Sequence, residues 1–434
     1  MIRTTSPRRR WAGDRLTILG LLLTTTLGAC GDVTSLKQDA PSRVLAGDLQ
    51  NPQNAALLVD GAVGDFECAL GNYIVAGGLI TDELLDAQLG QAGWEYDRRT
   101  LFPAAQLYLP AYGCGNTQFL GVYTPVSVAR FQGDQAVRLL DGWTDQDVPK
   151  RTDLIATASA YAGYSLVLLA EGMCSAAIDL GPELSRTQLA AEALKRFDRA
   201  ITEGTKSGNT AVVTLSHLGK ARALLDQGKL SEAATEAALV PDGFVFNATF
   251  NATPARRENR VYTQLWRDNF ASVDPTFRNL TWAGQADPRV TVMDAGAKGH
   301  DRSTEVFRTT KYPAITTPIP VGRTAEARLI QAEAAVASGK LQQAVDIINA
   351  LHQKAGIAPY AGGSAAEVKA QVLEERRREL FLEGQRLGDV IRNNVALQPA
   401  AGTPYPKGGL YGTQVCLPLP DVERNNNPNI GGQS

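Results

Sequence analysis

Two stretches far apart in this chain repeat one another. Ala221–Ala233 reads ARALLDQGKLSEA, and Ala332–Ala344 reads AEAAVASGKLQQA. Gly-Lys-Leu followed by Ala stands in one register in both, at Gly228/Gly339, Lys229/Lys340, Leu230/Leu341 and Ala233/Ala344. This is the pattern of a helical hairpin. Gly closes the first helix in a left-handed cap, and the small Ala lets the second helix pack closely. One such pair cannot bury its apolar face alone, so pairs must stack. The chain is therefore expected to be mostly α-helical.

The echo resembles the helix–turn–helix of a tetratricopeptide repeat, with copies widely separated and interrupted. The fold class expected is a tetratricopeptide-like helix-pair scaffold with inserted long loops and short β-strands. Helical periodicity runs through parts of Leu45–Leu85, Phe119–Leu140 and Ile155–Gly172. The last of these is rich in small residues, which suits close helix packing. Leu189–Ala238 holds successive helices separated by Gly208-Asn209 and Gly228. Asp86–Asn116 is rich in Gly, Gln and aromatics and reads as a long loop region outside the core. Pro241–Pro318 changes character, with Asn, Thr, Phe, Arg and Pro, and with β-type runs at Phe244–Phe250 and Arg289–Met293.

Near the end, Ser364 and Glu367 form the S-x-x-E pattern of a capping box. The helix they open is expected to run without a break to Arg392. At roughly 100° per residue, Leu373, Leu380, Gly384, Leu387 and Ile391 share one face. Glu375, Arg378, Glu379, Arg386 and Asp389 lie opposite, and read by spacing alone they form a solvated, salt-bridged face.

At 434 residues the chain can build a large core, and 44% hydrophobic residues fit an ordinary globular protein. Its 43 basic and 45 acidic residues leave a net charge of −2, which argues against nucleic-acid binding. Three His are too few for a His-rich metal site. No P-loop, G-x-S-x-G or H-E-x-x-H is present, so no catalytic constellation, metal or cofactor is expected. Glu326 and Glu333 share a helix face, where a structural role is expected for both.

Met1–Ala29 has the layout of a secretion signal: Arg3, Arg8, Arg9, Arg10 and Arg15, then the short apolar run Leu16–Leu27. The run Arg8–Arg10 also permits twin-arginine export. Leu27-Gly28-Ala29-Cys30 resembles a bacterial lipobox, which implies acylation of Cys30 and removal of what precedes it. Several acyl chains anchor durably where one would not. Residues 30–43 then read as a tether, and 44–434 as the folded domain. Cys68, Cys114, Cys174 and Cys416 remain, an even number in an exported chain. Of three connectivities, Cys68–Cys114 with Cys174–Cys416 is preferred; buried free thiols are the alternative.

The order Glu375, Arg376, Glu379, Leu380, Glu383, Gly384, Arg386, Asp389, Arg392 resembles the C-terminal signature of the SusD/RagB family. Leu387 stands where that family often has Trp. Asp287-Pro288-Arg289, Lys311-Tyr312-Pro313, Pro320-Val321-Gly322-Arg323 and Glu326–Ile330 resemble its other elements, as does the tail Leu417–Pro420, Glu423, Asn427-Pro428-Asn429. The resemblance implies an outer-membrane lipoprotein facing the cell exterior. It would capture an oligosaccharide or similar nutrient for a TonB-dependent SusC-like transporter, without enzyme activity. A sugar site needs flat aromatic faces and groups for the hydroxyls. Trp94, Tyr96, Trp266, Asn269 and Trp282 are the candidates, with Trp94 and Trp266 expected to be exposed enough to stack. Two alternatives are an envelope scaffold without a nutrient ligand and a lipid-anchored glycan hydrolase.

Overall fold

The computed structural model describes residues 50–104, 108–109, 114 and 120–430. The signal, Cys30 and the tether lie outside the described residues. The first helix, α1 (Ala55–Ile80), is followed by the short α2 (Gln91–Asp97). Then come α3 (Tyr123–Asp141), α4 (Arg151–Gly172), α5 (Arg186–Ser207), α6 (Thr210–Asp226) and α7 (Leu230–Ala238). After an irregular stretch follow α8 (Thr324–Ala337), α9 (Leu341–Ala355), α10 (Ala365–Glu379) and α11 (Arg386–Asn393).

The helix starts and stops have local causes. Ser185 and Gln188 make a reciprocal capping box at α5, and Ser364 and Glu367 make one at α10. Gly228 and Gly339, the glycines of the echo, turn α6 into α7 and α8 into α9 at φ +73° and +74°. A side chain would be strained there. The two hairpins pack on one another through Leu218, Leu224 and Leu225 of α6, Ala233 and Ala237 of α7, and Ala327 and Ile330 of α8.

α4 is apolar enough to cross a membrane by composition, with mean hydropathy 1.3, yet 83% of that window is buried inside the fold. It is the central helix of the core. A Cβ on Gly163 of α4 would stand 2.7 Å from the Phe197 ring of α5, and one on Gly219 of α6 would stand 2.4 Å from it. Glycine at both places lets three helices close around one ring.

Among the described residues the strands form antiparallel pairs. β1 (Leu84–Asp86) pairs with β5 (Ala271–Val273), and β2 (Ser175–Ala177) with β3 (Glu183–Ser185). β4 (Val245–Ala248) pairs with β10 (Ile319–Arg323), and β6 (Thr281–Trp282) with β7 (Gln285–Ala286). β8 (Val292–Lys298) pairs with β9 (Glu305–Thr309). Cys68 and Cys114 are joined by a disulfide, as are Cys174 and Cys416. The second fixes the C-terminal segment to the end of α4.

Three expectations need correction. The described part of Asp86–Asn116 is not outside the core: Tyr96, Leu101 and Tyr108 are buried in the main cluster. The helix from Ser364 does not run unbroken to Arg392. It stops at Glu379 and resumes at Arg386, with Leu382 at φ +53° and Gly384 at φ +92°. The break lets Phe381 stack on Phe277, ring centroids 4.6 Å apart. The carbonyls it frees accept from Lys311 Nζ at Phe381 (2.9 Å) and from the Tyr312 hydroxyl at Leu382 (3.0 Å).

The charged face is not solvated either. Glu375, Arg376, Glu383, Arg386 and Asp389 are buried. Each reaches a separate element. Glu375 meets Arg289 and His352, and Arg376 meets Asp389 at 2.8 Å. Glu379 and Glu383 share Arg323, at 2.8 and 2.9 Å, and Glu383 also takes Lys311. Arg386 grips Asp82 with two bonds of 2.7 Å, and Arg392 pairs with Glu333 of α8. Helical spacing finds neighbours on one turn, and these partners come from across the fold.

Candidate functional site

Four segments converge at one corner of the molecule. β1 continues into Ala87–Gly90, and α2 packs beside it. The segment before β5 carries Asn269 and Phe270. The β8–β9 turn carries Gly299–Thr304. A C-terminal strap carries Tyr405–Gly412.

Backbone bonds join the first three. Ala87 N–H donates to Phe270 O (2.9 Å), Asp301 N–H to Ala87 O (2.9 Å) and His300 N–H to Asn269 O (3.0 Å). Gly299 comes so close to Ala87 that a Cβ would stand 2.5 Å from the Ala87 methyl. Asn269 sits at φ +51°, a conformation that Asn tolerates better than most residues.

The strap is pinned from below. The Tyr405 hydroxyl donates to Asp97 Oδ2 (3.1 Å), which also accepts the Asp86 N–H (2.9 Å). Gly412 N–H donates to Arg98 O (2.7 Å). Burial pushes the Asp97 carboxyl up to about 7, and the Asp86 charge beside it acts in the same direction. Burial pushes Asp86 up to about 6 against the pull of Lys407. Burial would also raise Asp301, but Lys407 and bonds from Thr304 and Ser303 outweigh it and hold that carboxyl well below the usual range.

The surface of this corner presents Leu89, which is 65% exposed, together with exposed His300 and half-buried Phe270. Phe270 and His300 meet edge to face at 5.0 Å. Asn269 Oδ1 accepts from Arg308 (2.8 Å), which leaves its amide NH2 as a donor. Half-buried Trp94 lies on α2, next to Gly93, where a Cβ would strike Asp86 Oδ1 at 2.0 Å.

The sequence candidates therefore divide. Asn269 and Trp266 belong to this neighbourhood, the latter through Arg308, which bonds Asn269 and caps the Trp266 ring at 5.0 Å, while Trp94 stands on the adjoining α2 with its Nε1 buried. Trp266 is half-buried and already engaged. It stacks on Tyr262 (6.3 Å, 10°), and its Nε1 donates to Thr309 O (3.1 Å). Tyr96 is a core residue: it is fully buried, and its hydroxyl donates to Leu120 O (2.5 Å). It lies on the inward side of α2, so no ring face is left for a ligand. Trp282 lies elsewhere. It packs edge-on to His352 at 4.7 Å and donates to Ala358 O at 2.6 Å.

Sequence reasoning missed Leu89, Phe270, His300 and Lys407. The polar turn Gly299-His300-Asp301-Arg302-Ser303-Thr304 was the available signal. An open groove of about 800 Å³ runs between α7 and α8, lined by Leu230, Ala234, Leu239, Ala334 and Ala335. Its lining holds no aromatic ring and one charged group, Lys340, so it lacks what grips a sugar. Among the described residues no group of three or more His, Cys, Asp or Glu is arranged to hold a metal ion.

Comparison with known proteins agrees with this architecture. Residues 245–431 match the model of the SusD family. A SusD-like carbohydrate binding protein from Bacteroides vulgatus aligns with TM-score 0.65 and 16% identity, over 88% of this chain and 97% of that one. A SusD-like protein from Bacteroides fragilis aligns with TM-score 0.68 and 12% identity, over 91% and 99%. A SusD superfamily protein from Parabacteroides distasonis aligns with TM-score 0.64 and 14% identity, over 90% and 100%. No curated protein matches by sequence. Residues 245–431 thus carry the sequence pattern of the SusD family, and the chain has the fold of SusD-like proteins over most of its length.

Proposed function

We propose that this protein captures a nutrient, an oligosaccharide first, and passes it to a TonB-dependent SusC-like outer-membrane transporter. Acyl chains on Cys30 would hold it on the outer membrane, facing the exterior. The mechanism is binding and hand-over, with no bond broken and no cofactor.

The observation that carries this reading is the corner built by Leu89, Asn269, Phe270 and His300, with half-buried Trp94 on the adjoining α2. It offers apolar and aromatic surface for the flat side of a ring. Beside that surface stand an amide donor and an imidazole for hydroxyls. The supporting context is a family fold, with solved relatives that include a carbohydrate binding protein.

The test is a glycan and peptide screen on the form lacking Met1–Cys30, read by calorimetry. Trp94→Ala and Phe270→Ala are expected to weaken binding of the best glycan by ~1–3 kcal/mol, as for other stacked aromatics. Both must keep the wild-type circular dichroism spectrum. Unchanged affinity in both variants rejects this corner.

A further inference from the structure

Lys407 occupies an unusual place. Its Nζ lies 2.6 Å from Asp86 Oδ2, 2.9 Å from Asp86 O and 3.0 Å from Gln88 O. Asp301 Oδ2 stands 2.8 Å away. Four oxygens from two chain segments surround one ammonium that arrives from a third. The lysine side chain is 14% exposed, and the two carboxylates are 0% and 5% exposed.

An ammonium carries three protons and no acceptor, so it fits a cage of oxygens and nothing else nearby. Two buried carboxylates without it would repel and would each lack a counter-charge. The two segments meet at Ala87, where Gly299 approaches closely, but are less firmly joined further out. Asp301 N–H to Ala87 O is a good bond, but Leu89 N–H to His300 Nδ1 is long, at 3.4 Å.

We propose that Lys407 is a positioning residue for the binding corner: its ammonium serves as a tethered cation that locks the Ala87–Gly90 loop to the Gly299–Thr304 turn. These two loops carry Leu89 and His300. The C-terminal strap thus presets the spacing between the apolar and the hydrogen-bonding parts of the corner. A preset corner orders fewer groups when a ligand arrives, which raises affinity without adding a contact. The strap can act this way because it is itself fixed, by Tyr405 to Asp97 and by Arg98 Nη1 to Gly408 O (3.2 Å).

The consequence for affinity rests on the function proposed above, but the locking itself does not, and it is tested without any nutrient. Hydrogen exchange is followed in wild type, Lys407→Met and Lys407→Ala. Met keeps the length and removes the charge. Exchange at the Ala87 and Asp301 amides is expected to rise together, by about tenfold or more, while the α6–α9 hairpins keep their protection. In Lys407→Ala the emptied cage should accept methylammonium chloride, which restores protection in both loops where sodium chloride at equal ionic strength does not. Unchanged exchange, a rise in one loop alone, a rise throughout the molecule, or no rescue by methylammonium each overturns the proposal. A glycan screen with no hits would count against the function and leave this result standing.

Discussion

Where α6, α7 and α8 meet, the buried cluster is Leu218, Leu224, Leu225, Ala233, Ala237, Ala327 and Ile330. Where Glu375–Arg392 meets the rest of the fold, the buried contacts join carboxylates to guanidinium, ammonium and imidazole groups. Both regions bring together distant parts of the chain. The first uses non-directional burial, which tolerates any residue of about the right size. The second uses geometry and charge, so each position needs one residue type. That is why the hairpin echo is loose, with only Gly, Lys, Leu and Ala shared, while the C-terminal stretch has a recognisable order. The signature of Glu375–Arg392 is a structural signature, and no ligand group need be sought in it.

The sharpest break of this comparison is a pair of truncations. Arg376→Ala leaves buried Asp389 and its neighbour Glu333 to share Arg392 alone and is expected to cost about 3 kcal/mol, the low end of what broken buried pairs cost. Leu224→Ala, which opens a cavity between the hairpins, is expected to cost about 2–5 kcal/mol. Urea denaturation reads both. The two should then part company. Adding Asp389→Asn to Arg376→Ala removes one of the two carboxylates left on Arg392 and regains part of the loss, whereas no single polar change rescues Leu224→Ala. Equal behaviour would mean that the ionic region is held by packing alone.

The next prediction uses pH. Burial raises Glu326 from 4.5 to about 7, against the pull of Arg222 and Arg376. A carboxyl raised in the folded state lends stability below its unfolded value and loses it as pH climbs through 7. In Glu375, Glu383 and Asp389 burial also acts upward, but the cations beside them win and leave each lowered. Their contribution is present above the unfolded value and fades on acidification. Glu326→Gln removes only the first kind. Between pH 5 and pH 8 the unfolding free energy of wild type should fall relative to this variant by about 2–3 kcal/mol. A flat difference across that range would show that Glu326 is ionised in its site.

How much of this was legible in the sequence follows from the same contrast. Features set by neighbours within one or two turns could be read: the caps at Ser364 and the turns at Gly228 and Gly339. Features set by partners far along the chain could not. Spacing pairs Glu375 with Arg378, but Glu375 takes Arg289 and His352, while Arg378 takes Glu374 and Asp287. The break after Glu379 was hidden because every residue from Phe381 to Gln385 except Gly384 suits a helix. The candidate corner was half visible. Trp94 and Asn269 drew notice as polar-flanked residues, but Tyr96 could not be told from Trp94, since only the way α2 faces the core separates them. Lys407 could not be found at all, because its oxygens include two carbonyls and a carboxylate at residue 86.

The smallest effects give the finest test of the two regions. Gly228 and Gly339 have nearly the same φ, +73° and +74°, and a Cβ on either meets nothing within 4 Å. Alanine there carries only the cost of the left-handed backbone, about 1 kcal/mol. Gly228→Ala and Gly339→Ala should therefore match within about 0.5 kcal/mol, because distant, independent sites respond alike when their surroundings are alike. Gly384 is left-handed too, at φ +92°, but its Cβ would stand 3.2 Å from Ile74 Cγ1, and its carbonyl accepts from the buried Arg222 at 3.3 Å. Alanine there must shift either Ile74 or the backbone that Arg222 reads. Its cost should exceed that of the other two by about 1 kcal/mol or more. If all three glycines respond equally, the tight fit assigned to the ionic region is absent at its central turn. If Gly228 and Gly339 differ, the two hairpins are similar in sequence but are not equivalent in energy.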